Sequence, residues 1–216
     1  MAKKDRRGNR KLRRQQKSLR VPDLGYYLLV TDTEGTERCF FDGVKQSLPE
    51  NIKDRLVIKV IETETDDLIG TCRKMMAEEA QYRLPWIVFD RDQVPDFDKI
   101  IHSAYEQGIK VGWSNPCFEI WMFAYFGSMP NVVDSVTCCS QFGHIYKNKT
   151  GQKYSKSDDQ LYGRLCKFGN EDEAIEVAQK KLAQCDREGK KIPSEMCPCT
   201  TVHTLLREIK SKCKCQ

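Results

Sequence analysis

Four short apolar runs, each typical of a buried strand, alternate along the first half of the chain with segments of helical periodicity. The runs are rich in β-branched and aromatic residues and cover residues 26–31, 56–61, 86–90 and 109–113. Apolar residues at helical spacing lie between them, most clearly over residues 66–82. Strands that alternate with helices favour a mainly parallel sheet covered on both faces. The sequence therefore predicts a Rossmann-like α/β fold.

The second half of the chain shows fewer patterns. Residues 135–170 are polar and lack clear periodicity, which predicts an irregular insertion. Residues 171–216 are predicted to be C-terminal helices, because apolar stripes recur over 172–188 and 201–212. With no internal repeat, residues 21–216 are interpreted as a single domain.

Carboxylates follow two of the predicted strands at the point where each strand ends. Asp90 and Asp92 end the third strand, and Asp32, Glu34 and Glu37 follow the first. Because ligand sites form at the carboxyl ends of parallel strands, both groups are expected to face one crevice. If the third strand reaches Asp92, its two aspartates point the same way, and a hard cation such as Mg²⁺ would relieve their repulsion.

Both acidic groups also have a structural interpretation. The segment Asp-Arg-Asp-Gln-Val-Pro-Asp over residues 90–96 is polar and contains a proline, as turns do. Asp32, Glu34 and Glu37 could cap the following helix and favour its positive end. Capping and metal binding are compatible, and at least one of these three acids is expected to cap.

A further acid, Glu119, lies in the segment Ser-Asn-Pro-Cys-Phe-Glu-Ile-Trp over residues 114–121. Ser114 or Asn115 is predicted to cap a helix there, with Pro116 at the first helical position. On an otherwise apolar helix, Glu119 is either a partly exposed capping carboxylate or a buried functional one. The residues leave these two readings open.

The first twenty residues carry the positive charge of the chain. Ten basic residues against Asp5 give a net charge of +9, whereas the whole chain is +5, so residues 21–216 carry −4. Such a flexible basic arm is typical of contact with nucleic-acid phosphates, although it could serve only solubility. The candidate contact residues are Lys3, Lys4, Arg6, Arg7, Arg10, Lys11, Arg13 and Arg14.

Composition limits the compartment and the cofactors. No segment approaches 18 apolar residues and the amino terminus lacks the apolar core of a signal peptide, so we predict a cytoplasmic protein with no membrane contact. Most of the eleven cysteines lie among apolar neighbours, which indicates small core residues. Cys197, Cys199, Cys213 and Cys215 could ligate Zn²⁺, but their C-x-C spacing differs from the C-x₂-C of zinc ribbons and disfavours that site.

Together with the basic start, four segments resemble the RloB-like family of bacterial and archaeal defence loci, which includes the second component of the AbiL abortive-infection system. They are the acidic turn at residues 32–37, Val-Phe-Asp-Arg-Asp at 88–92, the 114–121 segment and Cys-Pro-Cys-Thr-Thr-Val at 197–202. The Ser-Asn-Pro-x-Phe-Glu element is the most specific and the DxD element the least. The resemblance covers nearly the whole chain.

The resemblance implies a Toprim-like fold, because the family is similar to Toprim domains. Those domains place a glutamate after the first strand and a DxD after a later one, and they act on phosphodiesters with Mg²⁺, so the implied cofactor of this chain is Mg²⁺ or Mn²⁺. The implied metal ligands are Asp90 and Asp92; the implied catalytic acids are Asp32 or Glu34, with Glu37 and Glu119. This chain reads Asp-Thr-Glu-Gly-Thr-Glu where the family reads roughly Glu-Gly-Glu-Lys-Thr-Glu, so either Asp32 or Glu34 can replace the first family glutamate.

Two functions are therefore weighed. The first is a Mg²⁺-dependent nuclease that cleaves DNA or RNA in antiphage defence. The resemblance implies that an AAA/ABC-type ATPase encoded nearby controls this nuclease. This chain has no G-x₄-GK[ST] loop of its own, so it is not itself a P-loop ATPase. The alternative is a non-catalytic nucleic-acid-binding or adaptor subunit of a defence complex, in which the acids are structural.

Overall fold

The computed structural model describes residues 22–32, 35–79, 84–92 and 94–214. The strands are β1 Gly25–Asp32, β2 Leu56–Thr63, β3 Leu84–Asp90, β4 Lys110–Asn115 and β5 Cys199–Thr200. The helices are α1 Thr36–Ser47, α2 Glu50–Lys53, α3 Leu68–Glu78, α4 Phe97–Glu106, α5 Glu119–Phe123, α6 Ser135–Thr150, α7 Leu161–Phe168, α8 Glu171–Arg187 and α9 Val202–Lys214. Short 3₁₀ turns occupy Thr65–Asp67, Ala124–Phe126 and Pro193–Glu195.

The strands form one sheet in the order β2-β1-β3-β4-β5. The first four are parallel, and β5 is antiparallel to β4. This confirms the predicted α/β fold with a mainly parallel sheet flanked by helices. The chain passes from β1 to β2 on one side and then crosses over to β3 on the other. The carboxyl ends of β1 and β3 therefore border the switch point, where open α/β sheets bind ligands.

Both faces of the central strands are buried. Along β1, Tyr27 and Leu29 contribute to one hydrophobic core, and Leu28 and Val30 contribute to the other. This is the alternation of side chains expected for a parallel strand covered on both faces. Helices α3 and α4 cover one face, and α1, α2, α5 to α7 and α9 cover the other; α8 contributes to both cores.

An aromatic cluster joins α1 to α5. Phe40 packs edge-on against Phe118, with ring centroids 5.4 Å apart, and against Trp121, with centroids 6.4 Å apart. Such pairs add stability beyond the area that they bury. Glu37 lies one turn before Phe40 on α1, and Glu119, the first residue of α5, lies between the N-cap residue Phe118 and Trp121. The cluster thus fixes the two helix starts that carry these acids.

The prediction of an irregular insertion over residues 135–170 is wrong, since α6 and α7 lie there. Helix α6 begins at an Asp134 cap, whose side chain accepts a hydrogen bond from the Thr137 backbone N–H. Its buried residues are Cys138, Phe142, Tyr146 and Thr150. Only one residue per turn of α6 is buried, and the residues between are mostly polar. This apolar stripe is too narrow for helical periodicity to be recognised in the sequence.

The predicted cap at Ser114 or Asn115 is also wrong. Strand β4 continues through Asn115, and α5 begins only at Glu119. The reason is strand pairing: Ser114 lies opposite Thr200 of β5, so the segment belongs to the sheet. Pro116 follows Asn115 through a cis peptide bond instead of opening the helix.

Several predictions concern residues outside the described ranges. These are the basic arm over residues 1–20, Glu34 in the first acidic turn and Cys215 near the carboxyl end. Within the described ranges, every helix is too short or too polar to cross a membrane.

We expect His203 to make the fold acid-sensitive. Burial lowers the pKa of His203 to about 4, although its ring nitrogen lies 3.1 Å from the Thr200 carbonyl oxygen. His203 is therefore protonated below about pH 6.5 in the unfolded chain but only below about pH 4 in the folded chain. Because the unfolded state binds the extra proton between these values, the free energy of unfolding falls as the pH drops through this range. The loss should reach about 3 kcal/mol. Urea unfolding should show this loss in the wild type and in exposed His102→Gln but not in His203→Gln; equal slopes in all three would contradict it.

Candidate metal centre

Asp32 and Asp90 stand at the carboxyl ends of the neighbouring strands β1 and β3. The Thr65 hydroxyl donates a hydrogen bond to Asp32 Oδ2 at 2.5 Å. The Phe118 backbone N–H donates to Asp90 Oδ2 at 3.2 Å. Both aspartates are half-buried, and each accepts a hydrogen bond from the protein at the rim of the switch-point crevice.

Glu37 is the centre of the cluster. It lies in the first turn of α1 and is 3% exposed. Burial raises the pKa of Glu37 well above its ordinary value, and the negative charges of Asp90, Glu119 and Asp32 raise it further, against a backbone hydrogen bond that lowers it. Four predicted acids, which come from β1, α1, β3 and α5, are therefore near enough to act on one another electrostatically.

Glu119 is buried, which excludes the prediction of a partly exposed capping carboxylate. It is 1% exposed and accepts a hydrogen bond from the Tyr154 hydroxyl at 2.7 Å. Burial and the charge of Glu119 raise the pKa of Tyr154, which keeps this hydroxyl a donor. Tyr154 lies 35 positions away in the segment predicted to be irregular, and no sequence signal links the two residues.

The prediction that an acid of the first group caps α1 is wrong for the described residues Asp32 and Glu37. The N-cap residue is Gly35, with φ of 78° and no side-chain hydrogen bond. This backbone conformation favours glycine, which explains the residue that separates the strand from the helix. Glu37 follows in the first turn, where the helix dipole favours a negative charge.

The structure places Asp92 apart from the other acids. Strand β3 ends at Asp90, so the alternation that predicted a common direction does not extend to Asp92. The Asp92 backbone N–H donates to the Pro116 carbonyl at 2.9 Å, and its side chain accepts from the Ser135 hydroxyl at 2.5 Å. Asp92 is not among the principal charges that raise the pKa of Glu37.

The residues around Glu37 suit a hard cation. Carboxylate oxygens are the ligands that Mg²⁺ and Mn²⁺ prefer. The neighbouring Thr36 hydroxyl is buried beside the Tyr154 hydroxyl, yet it makes no hydrogen bond of ordinary geometry with the residues that the structure describes. A polar atom buried without a partner is costly, and a cation or its water would satisfy it.

The two late elements of the family resemblance meet beside this site. The hydroxyls of Ser114 and Thr200 lie 2.9 Å apart, and Thr200 also donates to the Trp113 carbonyl at 2.9 Å. These buried bonds join β4 to β5 just before the turn that leads to Glu119. The 197–202 segment thus supports the 114–121 segment.

The C-terminal cysteines lie at different parts of the core. Cys199 packs into the core under α3 and α4, and Cys213 packs against the core on the other face. The Cys197 thiol points to the Val132 carbonyl oxygen at 3.6 Å.

The fold and the site define an α/β protein with an acidic cluster at the switch point of its sheet. The sequence profile of the RloB-like proteins matches residues 27–209, which is most of the chain. The protein therefore belongs to the RloB-like family, and the predicted membership is confirmed. No curated protein and no solved structure matches the chain.

Proposed function

We propose that this protein is a metal-dependent nuclease that cleaves phosphodiester bonds of DNA or RNA. The observation that carries the proposal is that Asp32 and Asp90, at the carboxyl ends of adjacent parallel strands, and the buried Glu119 all act electrostatically on the buried Glu37. A cluster of four carboxylates is unfavourable by itself and is typical of sites that hold a divalent cation. The non-catalytic alternative offers no comparable reason for the cluster.

The proposed roles follow from burial. Glu37 and Glu119 form the buried floor of the cluster, and half-buried Asp32 and Asp90 form its accessible rim. Asp90, Glu37 and Glu119 would hold Mg²⁺ or Mn²⁺, whereas Asp92, which accepts a hydrogen bond from Ser135, lies outside this set. A bound cation supplies charge stabilisation at the phosphoryl oxygens and lowers the pKa of a water.

Asp32 is the proposed base at the rim. The Thr65 hydroxyl, from the turn after β2, holds one of its oxygens. Glu34 stays an alternative from the sequence, since it lies two residues further along the same turn. Comparing Asp32→Asn with Glu34→Gln in a cleavage assay would separate the two, because only the essential acid is expected to be intolerant of losing its charge.

Nucleic acid is the proposed partner of the basic arm. Deleting residues 1–20 removes ten basic residues and should weaken nucleic-acid binding. Each lost phosphate contact should reduce the slope of log affinity against log salt by roughly 0.7–0.9. Binding measured by fluorescence anisotropy over a salt series, with deletion of only residues 1–5 as the smaller control, would test this. An unchanged slope after the full deletion would assign the arm another purpose.

The biological setting is proposed from the family resemblance. We infer a cytoplasmic effector of antiphage abortive-infection defence, restrained by an AAA/ABC-type ATPase encoded nearby. A toxic nuclease needs such restraint, and the chain has no P-loop motif of its own.

A cleavage assay on the purified chain tests the proposed activity. End-labelled single-stranded DNA, duplex DNA and tRNA would be incubated with Mg²⁺, with Mn²⁺ or with EDTA. We expect cleavage of at least one substrate that depends on the cation. Binding without cleavage, also in the presence of the neighbouring ATPase and its nucleotide, would support the adaptor function instead.

A further inference from the structure

We propose a second metal site, for a thiophilic cation such as Zn²⁺, formed by Cys117, Glu119 and Cys139 beside the acidic cluster. Their ligand atoms lie within 4.8 Å of one another. The sequence did not predict this site, because the cysteines belong to α6 and to the turn before α5, more than twenty positions apart.

The distances suit tetrahedral zinc. The Cys117 and Cys139 sulfurs are 3.9 Å apart. Two thiolates that each lie about 2.3 Å from one tetrahedral zinc ion are separated by about 3.8 Å. The pair therefore needs almost no movement to share an ion.

Burial and charge support the same conclusion. Cys117 is 2% exposed and Glu119 is 1% exposed, so a charged Glu119 has lost its water. One hydrogen bond from Tyr154 compensates only part of that cost, and a cation would compensate the rest. Cys139 is half-buried and gives the ion a path from solvent. Sulfur ligands select Zn²⁺ over Mg²⁺, which distinguishes this site from the oxygen-lined one.

Glu119 would link the two sites. Its carboxylate lies within the thiol cluster and also raises the pKa of Glu37 in the acidic cluster. A zinc ion that withdraws Glu119 from the acidic cluster is therefore expected to inhibit Mg²⁺-dependent cleavage. This consequence rests on the proposed function, whereas zinc binding itself does not.

Cobalt titration of the reduced, full-length chain tests the site without any activity assay. We expect one equivalent of Co²⁺ to produce a thiolate-to-cobalt charge-transfer band. Cys117→Ser and Cys139→Ser should each weaken binding at least about a hundredfold, and Glu119→Gln about tenfold. Exposed Cys166→Ser is the matched control and should bind like the wild type.

Two results would overturn the zinc site: no charge-transfer band in the wild type, or a band that survives both cysteine replacements. If circular dichroism shows that the variants misfold, X-ray absorption on zinc-loaded wild type decides instead. Two sulfurs at about 2.3 Å with oxygen in the remaining positions would support the site, and three or four sulfurs or none would exclude it. Loss of cleavage without this spectroscopic signal would bear on the nuclease proposal alone.

Discussion

Replacing Asp90 with asparagine is expected to reduce Mg²⁺-dependent cleavage by at least about a hundredfold and to leave the fold intact. Asparagine keeps the oxygen that accepts from the Phe118 backbone N–H, so the local geometry is retained. It removes the charge that, after burial, most strongly raises the pKa of Glu37. The metal-free variant should therefore melt at a higher temperature than the wild type, because one buried repulsion is gone.

Two matched variants make this result specific. Asp92→Asn is expected to lower cleavage by a smaller factor, because Asp92 is held by Ser135 outside the cluster around Glu37. Exposed Asp54→Asn should have no effect. Initial rates on one labelled substrate, with calorimetric melting of each protein, would give both quantities. Equal rates for Asp90→Asn and the wild type would remove Asp90 from the site.

The second large effect is expected from Glu37→Gln. Loss of this carboxylate should weaken Mn²⁺ binding roughly a hundredfold, comparable to the loss of other groups that hold a metal in place. Glutamine has nearly the same volume, so the packing of α1 through Phe40 should survive. Cleavage at a Mg²⁺ concentration that just saturates the wild type should fall with the loss of cation binding.

The same substitution has a pH signature. The pKa of Glu37 is raised in the folded state by burial first and by its acidic neighbours second, from an ordinary value of 4.5. Its stabilising contribution is therefore present below about pH 4.5 and is lost as the pH rises towards the raised pKa. Without metal, Glu37→Gln should melt like the wild type at pH 4 and above it at pH 8.

Added Mg²⁺ should close this gap by stabilising only the wild type. Exposed Glu50→Gln serves as the control and should follow the wild type at every pH. A melting difference between Glu37→Gln and the wild type that does not change with pH would contradict the burial of an ionisable Glu37.

The sheet was predictable because it depends on local patterns. The apolar runs that became β1 and β3 are buried on both faces, and this requirement leaves a continuous apolar signature in the sequence. Because β1 and β3 are parallel, their carboxyl ends lie at the same edge of the sheet, and the sequence alone therefore predicted that Asp32 and Asp90 lie there. The burial of Glu119 was one of two open readings, and only the packing around Phe118 and Trp121 decided it.

What the sequence could not predict depends on contacts between distant residues. Tyr154 reaches Glu119 from a loop whose position is set by α6, a helix with a stripe too narrow to recognise. The proximity of Cys117 to Cys139 arises in the same way. For Asp92 a local pattern was misleading. The two-residue spacing predicted that Asp90 and Asp92 point the same way, but β3 ends at Asp90, so the alternation of a strand does not reach Asp92.

Calorimetric titration of Mn²⁺ into the wild type and into Asp90→Asn tests the central claim most directly, because it asks only whether the acidic cluster holds a cation. The protein would be used at pH 7.5 with Cys117 and Cys139 both replaced by serine, so that the thiol cluster cannot contribute. The account predicts one Mn²⁺ bound per chain with Asp90 present and at least about a hundredfold weaker binding with asparagine there. Absence of binding to the form that retains Asp90, or equal binding to both, would contradict it.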